Sequence, residues 1–177
     1  MDKTTAWQDY LQPNGTLKNL LSITDAELLA QVEYRTTMAR QTYLAERDFQ
    51  LENGLTITGH DFEEVLQLHA YLFDGIYEWA GQFRTVDMMK GGSSFLEAQF
   101  LPTALGEINR DLERYQIVAA GDLVTTAEVL GKLISDFNFM HPFREGNGRT
   151  QRTWAQGLAF YKGFWFEITP DQPAYDA

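Results

Sequence analysis

Cysteine is absent from this chain, which rules out a disulfide scaffold, a thiolate-zinc centre and a cysteine nucleophile. Positive charge is scarce: fourteen Lys and Arg face twenty-five Asp and Glu, for a net charge of -11. Such a surface repels phosphate backbones and anionic headgroups, so no direct nucleic-acid or membrane partner is expected. The sequence has no run of roughly 18 apolar residues that could span a bilayer. Its opening, Met1-Asp2-Lys3-Thr4-Thr5-Ala6-Trp7, lacks the basic and apolar regions of a secretory signal. A soluble, cytoplasmic protein is the expectation. Repeats, low-complexity blocks and long Pro/Gly/Ser linkers are missing as well, so residues 1–177 read as one domain. What is present is ordinary globular composition, 44% hydrophobic and 14% aromatic.

The pattern is mostly helical. Thr24-Asp25-Ala26-Glu27 fits a capping box ahead of Leu28, Val32, Ala39 and Tyr43. Thr58-Gly59-His60-Asp61 opens a second helix, whose stripe of Phe62, Val65, Leu66, His69, Leu72, Phe73, Ile76 and Tyr77 should face the core. After Trp79-Ala80-Gly81 the period changes. Gln82 to Met89 alternates and Lys90-Gly91-Gly92-Ser93-Ser94 is turn chemistry, which predicts a hairpin or extended flap over residues 82–96. Leu101, Leu105, Ile108, Leu112 and Tyr115 mark a third helix with Pro102 in its first turn. Thr125-Thr126-Ala127-Glu128 is a further capping box, before Val129, Leu130, Leu133, Ile134 and Phe137. That helix should stop at His141-Pro142, because proline disfavours helical geometry in the residue before it. A polar loop and a last helix from Arg149 to Tyr161 follow, then an extended Phe164 to Ile168 and a loose tail over 169–177. Trp79 and the aromatic residues from Phe160 to Phe166 read as core, and His60 and His69 as structural.

Charge is unevenly placed. Residues 1–140 hold ten basic and twenty-one acidic residues, whereas residues 141–177 hold four of each. Within residues 141–152, His141-Pro142-Phe143-Arg144-Glu145-Gly146-Asn147-Gly148-Arg149-Thr150-Gln151-Arg152, three arginines stand against one glutamate. Gly146-Asn147-Gly148 before a helix allows consecutive N–H groups to point into one concavity, and the helix N-terminus adds partial positive charge. Arg149 and Arg152, three apart, share a helix face and can fork onto phosphate oxygens. Glu145 offers a hard oxygen of the kind Mg²⁺ accepts while bridging substrate phosphates. His141 is a candidate general base near neutral pH. A glycine turn, an arginine pair or a lone histidine is commonplace by itself. Their conjunction is not, since a turn needs neither a base before it nor two arginines after it.

The segment resembles, position for position, the motif of the Fic family of adenylyl transferases: His, any residue, Phe, any residue, Asp or Glu, Gly-Asn-Gly-Arg, any two, Arg. The likeness extends to Tyr10 through Asn19, to Gly59-His60-Asp61 and to Leu72 through Val86, so nearly the whole chain is covered. It implies an all-α Fic-fold helical bundle with a short β-hairpin flap beside the active site.

The resemblance also implies an enzyme that moves AMP from ATP to a Tyr, Ser or Thr hydroxyl of a target protein, with release of pyrophosphate. By the same resemblance His141 is the base, Phe143 anchors the loop and Glu145 holds Mg²⁺. Gly146, Asn147 and Gly148 cradle phosphates with help from the Asn147 side chain, and Arg149 and Arg152 hold the β- and γ-phosphates. Lys90, Gly91, Gly92, Ser93, Ser94 and Phe95 would dock the target along the flap by strand-like pairing. Many members carry an inhibitory helix reading Ser or Thr, any three, Glu, then Gly or Asn, whose Glu pairs with the second motif arginine, here Arg152. Neither Asp48 to Asn53 nor Thr42 to Arg47 fits, which implies the class in which a small antitoxin supplies that helix in trans. Similar chains usually continue with helix past the position of Asp171 to Ala177, so an inhibitory helix beyond the end of this sequence is the alternative to an antitoxin. Free-standing bacterial members of this kind act as toxins on type II topoisomerase subunits. The alternatives are an effector domain acting on host small GTPases, or a Fic-fold transferase of another nucleotide or of phosphate. The intact Gly146 to Arg149 weighs against phosphate transfer, and His141 weighs against a mere binding module.

Overall fold

A computed structural model describes residues 7–166, so the expected tail over 169–177 and the end of the Phe164 to Ile168 extension lie outside the described residues. Among the described residues the bundle is built from α1 (Ala26–Ala45), α2 (Glu63–Phe73), α3 (Leu101–Ile117), α4 (Leu123–Met140) and α5 (Asn147–Tyr161). A two-stranded antiparallel hairpin, β1 (Met89–Lys90) and β2 (Ser93–Ser94), sits between α2 and α3, followed by a 3₁₀ turn at Ala98–Phe100. This is the all-α bundle with a small flap that the sequence predicts.

Aspartate, rather than the threonine of the sequence reading, caps two of the helices. Asp25 accepts the Leu28 N–H at 2.8 Å, whereas the Thr24 carbonyl is taken by Asn14 and Thr16. Asp122 accepts the Thr125 N–H at 3.1 Å, so α4 starts earlier than the Thr125 box suggested. A carboxylate is the better acceptor for orphan helix N–H groups, and it outcompetes a neighbouring hydroxyl. The start of α2 is displaced for a different reason. The Glu64 carboxylate reaches back to the N–H groups of Thr58, Gly59 and His60 and to the Thr58 hydroxyl, holding that stretch as a loop.

The core is continuous across the helices. Phe62 packs its ring against Phe83, Phe137 and Trp154, and Leu68, Leu72, Leu112, Tyr115, Leu133 and Leu158 are fully buried around them. Truncating a buried aromatic such as Trp154 costs about 3–5 kcal/mol. Helix α4 lies between α3 and α5, and α1 packs on α2 and α5. Buried Asp111 of α3 ties to Lys132 of α4 at 2.5 Å and to Arg114 at 2.7 Å. Lys162 closes the end of α3 by donating to the carbonyls of Gln116 and Val118.

Three expectations need correction. Helix α1 buries Leu29, Glu33, Thr37 and Leu44, while Leu28 and Tyr43 face solvent. Pairing of its polar groups with α5, described below, selects that face. The flap is ladder-paired only at Met89 with Ser94 and Lys90 with Ser93, across a Gly91-Gly92 turn with φ of 56° and 83°. The preceding stretch alternates in burial, with Arg84 and Val86 inside and Thr85 and Asp87 outside, but among the described residues it pairs with no strand, because the Arg84 side chain and N–H bond to loop and helix-end carbonyls instead. Finally, Tyr161, Trp165 and Phe166 are exposed, and only Phe160 and Phe164 of that aromatic group pack on the core.

Candidate active site

His141 caps the C-terminus of α4 with φ 45° and ψ 62°, a left-handed conformation that is strained for a residue with a side chain. Pro142 after it forbids the helical alternative. Phe95 of the flap lies flat on the imidazole, ring centroids 3.8 Å apart and planes 10° from parallel. Burial, then the positive charges of Arg84 and Lys90, push the His141 pKa down to about 4, against a smaller opposing pull from the Asn138 backbone. The ring is therefore neutral at pH 7 and able to accept a proton. Its Nδ1 is buried and, among the described residues, has no hydrogen-bond partner of normal geometry, which leaves Nε2 as the working nitrogen.

The loop after His141 is shaped from inside. Phe143 is fully buried. Asn147 is also buried, and its amide pairs reciprocally with the Phe143 backbone, accepting from N–H at 2.8 Å and donating to C=O at 2.7 Å. The Asn147 side chain thus shapes the loop, with its oxygen and one of its two amide N–H donors engaged by Phe143. Gly146 has φ 81°, and a Cβ there would collide with the Phe73 ring. Only glycine fits. Among the described residues no side chain caps the start of α5, so its first-turn N–H groups are presented outward.

Of the two motif arginines, Arg149 is held hard. It donates to the buried Glu33 carboxylate, to Thr37 Oγ1 at 3.3 Å and to Glu145 Oε1 at 3.3 Å, and its guanidinium lies 5.0 Å from the Phe73 ring centroid. Arg152 folds back along α5, with Nη1 3.3 Å from the point a Gly148 Cβ would occupy. It therefore lies against the glycine turn. Glu145 is 40% exposed and also accepts the Gly146 N–H at 2.8 Å. The flap residues Lys90 to Ser94 are exposed, and Phe95 is half-buried against His141.

Three groups that sequence reasoning left out complete the site. Glu33 and Thr37 on α1 hold Arg149, and Tyr77 donates its hydroxyl to the other oxygen of Glu33. Burial first, and the Glu33 carboxylate next, drive the Tyr77 pKa up, which keeps its proton in place as the donor. His69 is sandwiched 3.7 Å from the Phe143 ring centroid and 4.6 Å from that of Phe73. Its Nδ1 accepts the Gly81 N–H at 2.7 Å, so Nε2 carries the proton and donates to the Glu145 carbonyl at 3.1 Å. Desolvation drives its pKa down to about 3. His69 is the structural histidine expected, and it is attached directly to the motif loop. One sequence signal was available: Glu33, Thr37 and Gln41 recur every four residues on α1, and Gln41 reaches Thr153 of α5 at 2.6 Å.

The fold and site define a helical domain that presents a neutral histidine beside a glycine-rich anion cradle and two arginines. Residues 59–159 match the Fic/DOC family, and the chain belongs to it. Among relatives, the protein adenylyltransferase VbhT of Bartonella schoenbuchensis is 32% identical over 156 residues, covering 88% of this chain and 31% of that one. The chain thus spans about a third of that relative's length. The probable protein adenylyltransferase Fic of Salmonella typhimurium is 29% identical, over 88% of this chain and 74% of its own. The N-terminal Fic domain of a Bartonella effector protein from Bartonella sp. AR 15-3 superposes with a TM-score of 0.78 at 24% identity, covering 94% of this chain and 80% of that one. BepC of Bartonella tribocorum, solved with bound AMPPNP, gives 0.77 at 20% identity, over 94% and 85% of the two chains. Both likenesses are of fold.

Proposed function

We propose that this chain is a protein adenylyltransferase, moving AMP from ATP to a Tyr, Ser or Thr hydroxyl of a protein. The observation that carries the reading is a neutral His141 fixed in a left-handed turn immediately before the uncapped N-terminus of α5, with Arg149 and Arg152 in the next turn. The names of the relatives support it.

In this reading the backbone of Gly146, Asn147 and Gly148 and the guanidinium groups of Arg149 and Arg152 hold the polyphosphate. His141 Nε2 takes the proton from the attacking hydroxyl. A new O–P bond forms at the α-phosphorus, the bond from that phosphorus to the bridging oxygen breaks, and pyrophosphate leaves with the electron pair. Because these parts are fixed beforehand, the barrier is lowered by positioning and charge stabilisation. Among the described residues no three His, Cys, Asp or Glu gather as a metal cage. Mg²⁺ binds through one or two carboxylates plus substrate phosphates, and Glu145, half-exposed beside Arg149, is the carboxylate proposed to hold it. The ion would neutralise phosphate charge there.

The flap, Lys90 to Phe95, is the proposed target-docking edge, and Phe95 beside His141 supports it. By family resemblance, the proposed targets are type II topoisomerase subunits and the proposed regulator is a small antitoxin acting at Arg152 in trans. Incubation with ATP, Mg²⁺ and a bacterial lysate, read by intact-mass spectrometry, tests the activity. An AMP adduct that disappears with His141→Ala is expected. No adduct on any protein, with inhibitor removed, would sink the reading. Labelled ATP and identification of the labelled band test the target.

A further inference from the structure

We propose that Arg84 is a positioning residue that fixes the base of the flap and the backbone of His141 in one register, so that the docking edge and the proton acceptor move as a unit. The inference rests on the proposed transfer reaction for its meaning, and on four hydrogen bonds for its substance.

Arg84 is 2% exposed, and arginine is almost never fully buried unless paired with an anion. Here every hydrogen bond from the guanidinium, among the described residues, goes to a backbone carbonyl. Nε donates to His141 at 2.7 Å and Nη2 to Met140 at 3.0 Å, the last carbonyls of α4. Nη1 donates to Val86 at 2.6 Å, and Nη2 also to Leu96. Val86 and Leu96 flank the hairpin on its two sides, so one planar group joins both feet of the flap to the end of α4. The Arg84 N–H adds a bond to the Pro142 carbonyl at 2.9 Å, and the Leu96 N–H one to Phe139 at 3.0 Å.

Two physical points explain the choice of residue. Helix α4 ends in orphan carbonyls that carry partial negative charge, and a cation there is favoured. His141 must also be held left-handed, a conformation that persists only where the surroundings over-determine it. A guanidinium supplies in-plane donors in a rigid fork, whereas an ammonium has three donors on a flexible stem and cannot span both feet and the helix end. The Asp87 carboxylate acts on Arg84 through space, and its Oδ1 accepts the Ala98 N–H at 2.9 Å. The hydrogen bonds of the cation itself go to backbone dipoles. It also stands, with Lys90, as one of the two charges acting on the imidazole.

Arg84→Lys and Arg84→Met, compared with the unsubstituted chain, test this. The readouts are amide hydrogen exchange and the NMR titration of the His141 ring, assigned by its loss in His141→Ala. With either variant, the amides of Phe95 and Leu96 should exchange at least about tenfold faster while those of Ile108 and Leu112 in α3 keep their protection. With Arg84→Met the His141 titration should also move upward, and with Arg84→Lys, which keeps the charge, it should move less. Equal acceleration at all four amides, or none at Phe95 and Leu96, overturns the proposal. If both variants fail to fold, the unsubstituted chain still decides: the Arg84 Nε–H signal should persist at pH 7 where exposed arginines wash out, and its loss overturns the idea. None of these readouts needs AMP transfer, so they stand apart from the activity itself. Where transfer is seen, Arg84→Lys should cut turnover tenfold or more with the KM for ATP changed less than about twofold, because the phosphate cradle does not touch Arg84. A matching rise in KM for ATP would count against it.

Discussion

Glu33 and Arg149, 116 positions apart, form a buried ion pair that joins α1 to the first turn of α5. The carboxylate is fully used, with Tyr77 on one oxygen and Arg149 on the other. The pair therefore holds the arginine that faces the phosphate cradle. The cost of burying it is offset by hydrogen bonding at both ends and by the Phe73 face under the guanidinium.

Glu33→Ala should accordingly destabilise the protein by about 3 kcal/mol, since removing one partner strands the other charge and the Tyr77 hydroxyl. Thr37→Ala removes a hydroxyl that accepts from Arg149 and donates to the Glu33 carbonyl but strands no charge, and should cost less, about 1–2 kcal/mol. Denaturant midpoints of both variants check the contrast. Equal, small losses would mean that Glu33 does not organise this corner.

Gly146→Ala should be far worse than its size suggests. The position has φ 81°, and a methyl group there runs into the Phe73 ring, which is fully buried and has no room to swing. Overpacking of this kind costs about 1–3 kcal/mol, and left-handed strain adds to it. Gly91→Ala offers the control, because nothing lies within 4 Å of its would-be Cβ. If thermal unfolding shows the two variants alike, the close approach of Phe73 to the cradle is wrong.

Stability should fall as pH is lowered from neutral. His69 and His141 titrate at about 3 and about 4 in the folded chain, against an ordinary value near 6.5 when unfolded. Between roughly pH 6.5 and 4 the unfolded chain takes up protons that the native one refuses, so each histidine removes up to about 1.4 kcal/mol per pH unit. Asp111, held down by Lys132 and Arg114 against the burial that pushes it up, loses its contribution only below the usual carboxylate range. The window above pH 4 thus belongs to the histidines. A drop of about 2–4 kcal/mol from pH 7 to pH 5 is expected by chemical denaturation, and a flat profile would contradict the buried, neutral rings.

Much of this arrangement was legible in the chain itself, and the exceptions share a cause. Leu112, Tyr115, Leu133 and Phe137 lie where periodicity puts them, because an apolar stripe needs only a neighbour to cover it. Helix α1 was misread because its inward face is polar. Glu33, Thr37 and Gln41 look like solvent residues until Arg149 and Thr153 arrive from more than a hundred positions away. The same holds for Arg84, a charged residue inside a stretch that alternates on paper. The motif loop was readable as chemistry, yet the inward turn of Asn147 was not, since its partner is backbone. Long-range polar pairing leaves no period behind.

The flap carries the sharpest test of how the base is kept ready. Phe95 covers one face of the His141 imidazole at 3.8 Å, and desolvation is the largest cause of the low pKa. Phe95→Ala opens that face to water while Arg84 and Lys90 keep acting on the ring. The pKa should therefore rise from about 4 and stop short of the ordinary 6.5. His141→Ala identifies the ring signal in a proton NMR titration, and a midpoint within a few tenths of the original would show that Phe95 does not shield it. For the proposed transfer the consequence is directional. In the unsubstituted chain the base form persists well below pH 6, so turnover should hold there. In Phe95→Ala protonation begins nearer neutrality, and turnover at pH 6 should fall relative to pH 8 even where the two proteins are equally folded.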